Sequence, residues 1–193
     1  VAGETIHDTW VRVTDAFADV ARSVPVERWE APAPPDGWTT RGVVRHLLEW
    51  VPAFLASGSS VTIGAGASVA QDPVKAWTGF ADQVAAVLAD PRVQHEQFSH
   101  PRAGEHPLDE AIVLGDVVMH TWDLAKGAGL EVVLDPAVVH SLVEGLRPMG
   151  DFLEKGGQYG PVIGVPAEAS EQDELIGLIG RDPAWTPEGS GRA

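Results

Sequence analysis

At 193 residues the chain has room for one domain with a true hydrophobic core, expected to span 1–193, and its 44% hydrophobic content excludes a disordered chain. The formal net charge of −15 grows from −5 over residues 1–96 to −10 over 97–193, and such a surface repels phosphate backbones and anionic headgroups, so neither nucleic acid nor membrane is expected as a partner. Cysteine is absent, which excludes disulfides, thiolate ligands and a cysteine nucleophile; a metal must sit on histidine, carboxylate or water, and a reacting thiol must come from outside.

The first helical pattern runs from about Glu4 to Ser23, with Ile6, Trp10, Val13, Phe17 and Val20 at spacings of three and four. No apolar run approaches the roughly 20 residues of a membrane span, and the N-terminal pattern is acidic and amphipathic, so the cytoplasm is the expected compartment. Residues 24–38 read as a proline-rich loop. Thr39 or Thr40 is the expected N-cap of a second helix carrying Val43, Val44, Leu47, Leu48, Trp50, Val51, Phe54 and Leu55, with a kink or early end at Pro52. Residues 57–70, with Gly64-Ala-Gly66, lack the strand and spacing of a phosphate loop and read as a flexible connection.

Asp72-Pro73 opens a third helix through Val74, Trp77, Phe80, Val84, Val87 and Leu88, stopping near Asp90-Pro91. The segment Arg92–His106 predicts either a hairpin or an extended crossover around Pro101 and Gly104. A fourth helix is expected from Pro107, ending at Gly127 and Gly129, and a fifth from Pro136 to Leu153. The tail reads as extended over Tyr159–Pro166, with a short helix from Glu171 to Ile179 closed by Gly180. The class expected is all-α: a four-helix bundle with additional short helices and an extended C-terminal segment. Seven tryptophans exceed what one small core should need, so Trp10, Trp77 and Trp185 are candidates for a homodimer contact.

Asp116 and His120 are four apart, on one helix face and one turn from each other. His46 lies in another apolar helix and can complete a three-ligand divalent-metal site. The plain alternative is a buried, hydrogen-bonded histidine beside a simple helix pair. Burying three such groups is costly unless they share a partner, which brings a metal to level terms with that alternative. Two imidazoles and a carboxylate suit zinc first and nickel second. Asp123, three residues after His120, can be a weak ligand, a charged residue near the helix end or, by preference, the acceptor of an imidazole N–H; Glu49 can play that last part for His46 or lie on a solvated face. Trp50 and Trp122 can wall the pocket, although core packing is the preferred reading for both. His95, His100 and His106 read as solvent-exposed, and His7 and His140 are assigned no role. No Ser-His-Asp signature is visible, and no catalytic residue is assigned.

Several motifs occur in order: Trp38-Thr-Thr-Arg-Gly-Val-Val-Arg-His46-Leu-Leu-Glu, Asp116-Val-Val-Met-His120-Thr-Trp-Asp-Leu-Ala125, Tyr159-Gly-Pro-Val, Val165-Pro and Gly180-Arg-Asp-Pro183. Together they resemble the actinobacterial metal-binding proteins related to mycothiol-dependent maleylpyruvate isomerase, within the DinB/YfiT-like superfamily. The resemblance implies an up-down-down-up four-helix bundle with a divalent metal held by His46, Asp116 and His120. It implies a metal-dependent transferase or isomerase that uses a low-molecular-weight thiol such as mycothiol with an electrophilic substrate. The rival expectation is a non-catalytic bundle that binds a metal or small ligand. Two departures from the isomerase stand out. Its middle ligand is a glutamate where this chain has Asp116, and its separate C-terminal domain has no match in the last 40 or so residues.

Overall fold

The computed structural model describes residues 5–93, 96–101, 104–108, 114–149 and 159–187. It is mainly helical, with six α-helices and one two-stranded antiparallel hairpin among the described residues. Among them, no helix is long and apolar enough to cross a membrane. The chain divides into two compact units, one of Val1–Ser23 with Arg41–Val117 and one of Val24–Thr40 with Val118–Ala193.

The first unit begins with α1 (Ile6–Ser23). Its start is set by a reciprocal cap. The Asp8 backbone N–H donates to Thr5 Oγ1 at 3.1 Å, and the Thr5 backbone N–H donates to Asp8 Oδ2 at 3.2 Å. The Thr5 hydroxyl also donates to Asp8 Oδ2 at 2.8 Å, and this bond first, with the Thr5 backbone bond next, holds the exposed Asp8 carboxyl below its usual range. Glu4, the expected start, lies outside the described residues. Helix α3 (Pro73–Leu88) is entered as its sequence signals, with Asp72 accepting from Lys75 N–H at 2.9 Å and Pro73 in the first turn.

Helices α1 and α3 bury their apolar faces against each other. Trp10 Nε1 donates to Ala81 O and Trp77 Nε1 to Thr14 O, each at 3.1 Å, so both indoles bury their rings without orphaning a donor. Phe17 packs on Trp77 at a ring separation of 4.0 Å. Trp10 and Trp77 are therefore fully buried core residues, which corrects their reading as a surface contact; Trp185 is half-buried.

Helix α2 (Thr40–Gly58) continues through Pro52 for six more residues, so of the kink or early end expected there the early end is not found. Arg41 Nη1 donates to Val69 O at 2.9 Å and fastens the glycine-rich connection. A hairpin follows α3, settling the open choice over that segment: β1 (Gln97–His100) pairs antiparallel with β2 (Gly104–Pro107). Gly104 sits at φ 84°, a conformation that glycine supplies without steric cost. Pro107 is thus the last residue of a strand opposite Gln97, not the start of a helix. The proline and the short periodic run after it look like a helix start locally; pairing with β1 decides otherwise.

Helix α4 spans Leu114–Ala128. It ends in a Schellman turn at Gly129, φ 77°, where Leu130 N–H bonds Ala125 O and Gly129 N–H bonds Lys126 O. Asp135 caps α5 (Pro136–Leu146) through the N–H groups of Ala137 and Val138. A 3-10 turn at Arg147–Met149 follows α5, and the rest of the expected helix, 150–153, lies outside the described residues. Ser170 caps α6 (Glu171–Leu178), which packs on α5. Gln172 ties α6 to the segment before α5 through Leu134 N–H and Val132 O.

Candidate metal centre

The site is built on α2 and α4, both apolar helices in which a polar side chain at the core face needs a partner. On α2, Val43, Val44, Leu47, Val51 and Leu55 are buried, and His46 sits half-buried at the edge of that face. On α4, Val117, Val118, Leu124 and Ala125 are buried around half-buried Asp116 and buried His120. His46, Asp116 and His120 each offer one donor atom, and the three atoms lie within 4.8 Å of one another. Metal–nitrogen and metal–oxygen bonds of about 2.0–2.2 Å put donors on one ion some 3–4 Å apart, so small side-chain adjustments suffice. These three residues, the expected set, form a group that can hold a metal ion.

The second feature that fits a metal is the orientation of His120. Its Nδ1 lies 2.9 Å from Asp123 Oδ2, both side chains being nearly or fully buried. A carboxylate can only accept, so Nδ1 carries the proton and Nε2 the lone pair that a metal needs. Asp123 thus contacts His120 as its spacing predicts. Glu49 is exposed on α2.

The expected wall residues divide. Trp50 lies parallel to His46, with ring centroids 6.2 Å apart and planes 15° apart, and parallel to Phe54 at 5.1 Å. Trp122 is buried, with Lys126 Nζ 5.8 Å over its ring, so it serves the core. Trp38 stacks on His120 at 5.7 Å and 22°. No periodicity marks Trp38, because it is delivered by a turn. Gly37 takes φ 76°, Trp38 N–H closes on Pro35 O, and Ala33 N–H bonds Trp38 O.

Arg181, quoted above within Gly180-Arg-Asp-Pro183, has no role assigned from the sequence. Its Nε donates to Asp123 Oδ1 at 3.2 Å, on the oxygen opposite the one that holds His120. The available signal was charge: Arg181 is the only basic residue between Lys155 and Arg192 in an acidic tail.

The remaining histidines go elsewhere. His100 and His106 are half-buried, not solvent-exposed as expected. Both lie on the Phe98 ring, at 6.1 and 6.4 Å, because the hairpin register sets His106 opposite buried Phe98 and His100 two residues along the same face. His95 lies outside the described residues. His140 bonds Glu171 at 2.8 Å at the surface.

Comparison with protein-family models, with curated proteins and with solved structures finds no match to this chain.

Proposed function

We propose that this protein binds a divalent metal through His46, Asp116 and His120 and uses it, with a low-molecular-weight thiol, on an electrophilic substrate. The observation that carries the reading is the grouping of two imidazoles and one carboxylate with donor atoms within 4.8 Å of one another, one imidazole being oriented by a buried carboxylate. That donor set suits zinc, with nickel next, and three protein ligands leave a position for a ligand from solution. A bound ion of this kind acts as a Lewis acid and lowers the pKa of a thiol that coordinates it. Asp123 holds His120 in the ligating tautomer. Trp38 and Trp50 lie near-parallel to the rings of His120 and His46 and would form apolar walls beside them. The absence of cysteine agrees with a thiol supplied from outside. The up-down-down-up arrangement, the mycothiol-type cofactor and a homodimer belong to this proposal through the family resemblance.

Elemental analysis of purified wild type should find close to one zinc or nickel per chain, and His46→Ala and His120→Ala should lose it. Undiminished metal in both variants would remove the assignment. For the thiol, cobalt-substituted protein should develop a sulfur-to-metal charge-transfer band when a small thiol is added. No spectral change with any thiol, and no consumption of electrophile, would leave a metal-binding protein without this chemistry.

A further inference from the structure

We propose that Arg181 is a positioning residue for the metal centre, acting through Asp123 on the His120 imidazole. The proposal rests on the metal-binding reading for its consequence, but its geometry stands independently. Asp123 has no exposed surface, and its two oxygens are divided between two partners, Oδ2 facing His120 Nδ1 at 2.9 Å and Oδ1 receiving Arg181 Nε at 3.2 Å. A buried carboxylate is costly without a counter-charge, and one held at a single oxygen can rotate about its χ2. Arg181 addresses both problems. It supplies the charge, and by occupying Oδ1 it fixes the plane of the carboxylate and hence the direction from which Oδ2 meets the imidazole.

The backbone delivers Arg181 to that place with little freedom. Helix α6 ends in a Schellman turn in which Arg181 N–H bonds Ile176 O and Gly180 N–H bonds Gly177 O. Gly180 takes φ 75°, and a Cβ there would meet the Gly160 backbone at 2.6 Å, so the turn also requires a glycine for space. The Arg181 guanidinium bonds Ile179 O through Nη1 at 3.4 Å, which anchors the other side of the fork. Its side chain is 18% exposed, so the ion pair is largely desolvated. The fixed fork of an arginine suits this double engagement, whereas a lysine ammonium is a point charge on a flexible stem.

The test uses the whole chain labelled with nitrogen-15 at histidine, with Arg181→Gln, Arg181→Lys, Asp123→Asn and the Asp123→Asn/Arg181→Gln double variant. In metal-free wild type the His120 signal should report the Nδ1–H tautomer. Arg181→Gln should shift it toward a mixture of tautomers, and Arg181→Lys should restore it in part. Zinc affinity, measured by competition with a chromogenic chelator, should fall about 10-fold in Arg181→Gln, as changes behind a ligand typically do. Because both residues act along one chain, the double variant should lose no more than Asp123→Asn alone. A His120 signal in Arg181→Gln identical to wild type overturns the proposal, as does a double variant whose losses multiply. If the tautomer changes as expected but wild type binds no zinc, the metal reading fails and the Arg181–Asp123–His120 relay stands.

Discussion

At the scale of single residues, His120 and Asp123 show how much a three-residue spacing can carry. On a helix, residues three apart meet at their tips, so the contact was readable from sequence once the helix was. Asp116 and Asp123 are the same residue type, yet the proposed site gives them different work. Asp116→Ala should abolish stable metal binding, because it removes a donor. Asp123→Ala should retain metal at about 10- to 100-fold lower affinity, because the donor remains and only its orientation is lost. Competition titration of the two variants separates these outcomes, and equal losses would contradict the assignment.

Two helical glycines make a second contrast at this scale. A Cβ at Gly79 in α3 meets nothing within 4 Å, whereas one at Gly127 in α4 would meet Thr40 Oγ1 at 2.6 Å and Pro32 O at 3.3 Å. Gly79→Ala should therefore raise stability by about 0.5–1 kcal/mol from helix propensity alone. Gly127→Ala should lower it by about 1–2 kcal/mol, since overpacking outweighs the same gain. Urea denaturation of both variants checks the opposite signs.

At the scale of elements, the helix ends are set by short local signals. Thr5, Asp72, Asp135 and Ser170 all accept from the first turn of the helix that follows. Such caps are legible because donor and acceptor are two or three residues apart. Removing one should cost about 1 kcal/mol, and Asp72→Ala, assayed by thermal unfolding, is the direct test.

The pairing of α5 with α6 carries a pH dependence of definite sign. The hydrogen bond to Glu171 raises the His140 pKa above its ordinary 6.5. That contribution is complete below the unfolded value and is lost as pH rises through the folded one. Conversely, the bond from Arg147 holds Glu174 below the ordinary carboxylate range, so that contribution is present at neutral pH and is lost as acid takes pH down through the depressed value. Melting curves at pH 5.5 and 8.5 should show the His140 contribution as a small gain at the lower pH that disappears in His140→Ala. An unchanged pH difference in that variant would assign the effect to other groups.

The element that sequence left open was the hairpin, and Pro107 at its end was read as the start of a helix. Gln97–His100 and Gly104–Pro107 are four-residue strands, too short for a period of two to be distinguished, and Pro107 carries a strong helix-start signal. Their identity depends on pairing with each other and on Phe98 being buried, which are non-local facts. Trp10 and Trp77 mislead for the same reason. A tryptophan on a helix stripe reads alike whether its face meets a neighbouring helix or a second copy of the chain.

At the scale of the whole molecule, ligand linkage gives a prediction that needs no assay of turnover. An ion that binds only the folded chain should stabilise it by about 2.7 kcal/mol when zinc is 100-fold above its dissociation constant. Adding zinc to metal-free wild type should therefore raise Tm, and His46→Ala should abolish the rise. A rise of equal size in His46→Ala would place the ion elsewhere, for example on the acidic surface that the charge of −15 implies.

Periodicity and capping are local properties of the chain, so the helical character and most helix starts and ends were legible from the sequence by itself, as was the (i, i+4) pairing of Asp116 with His120; His46, about 70 residues earlier, was named as their partner on the cost of burial and on the family resemblance. A local spacing likewise placed Asp123 against His120. The tertiary structure alone decided which aromatic rings face the histidines and that Arg181 reaches Asp123 across 58 residues. Trp38 comes from a glycine-dependent turn and Arg181 from a Schellman turn on a later helix. Where such turns point is fixed by the packing of the segments they join, and no pattern within either segment encodes it.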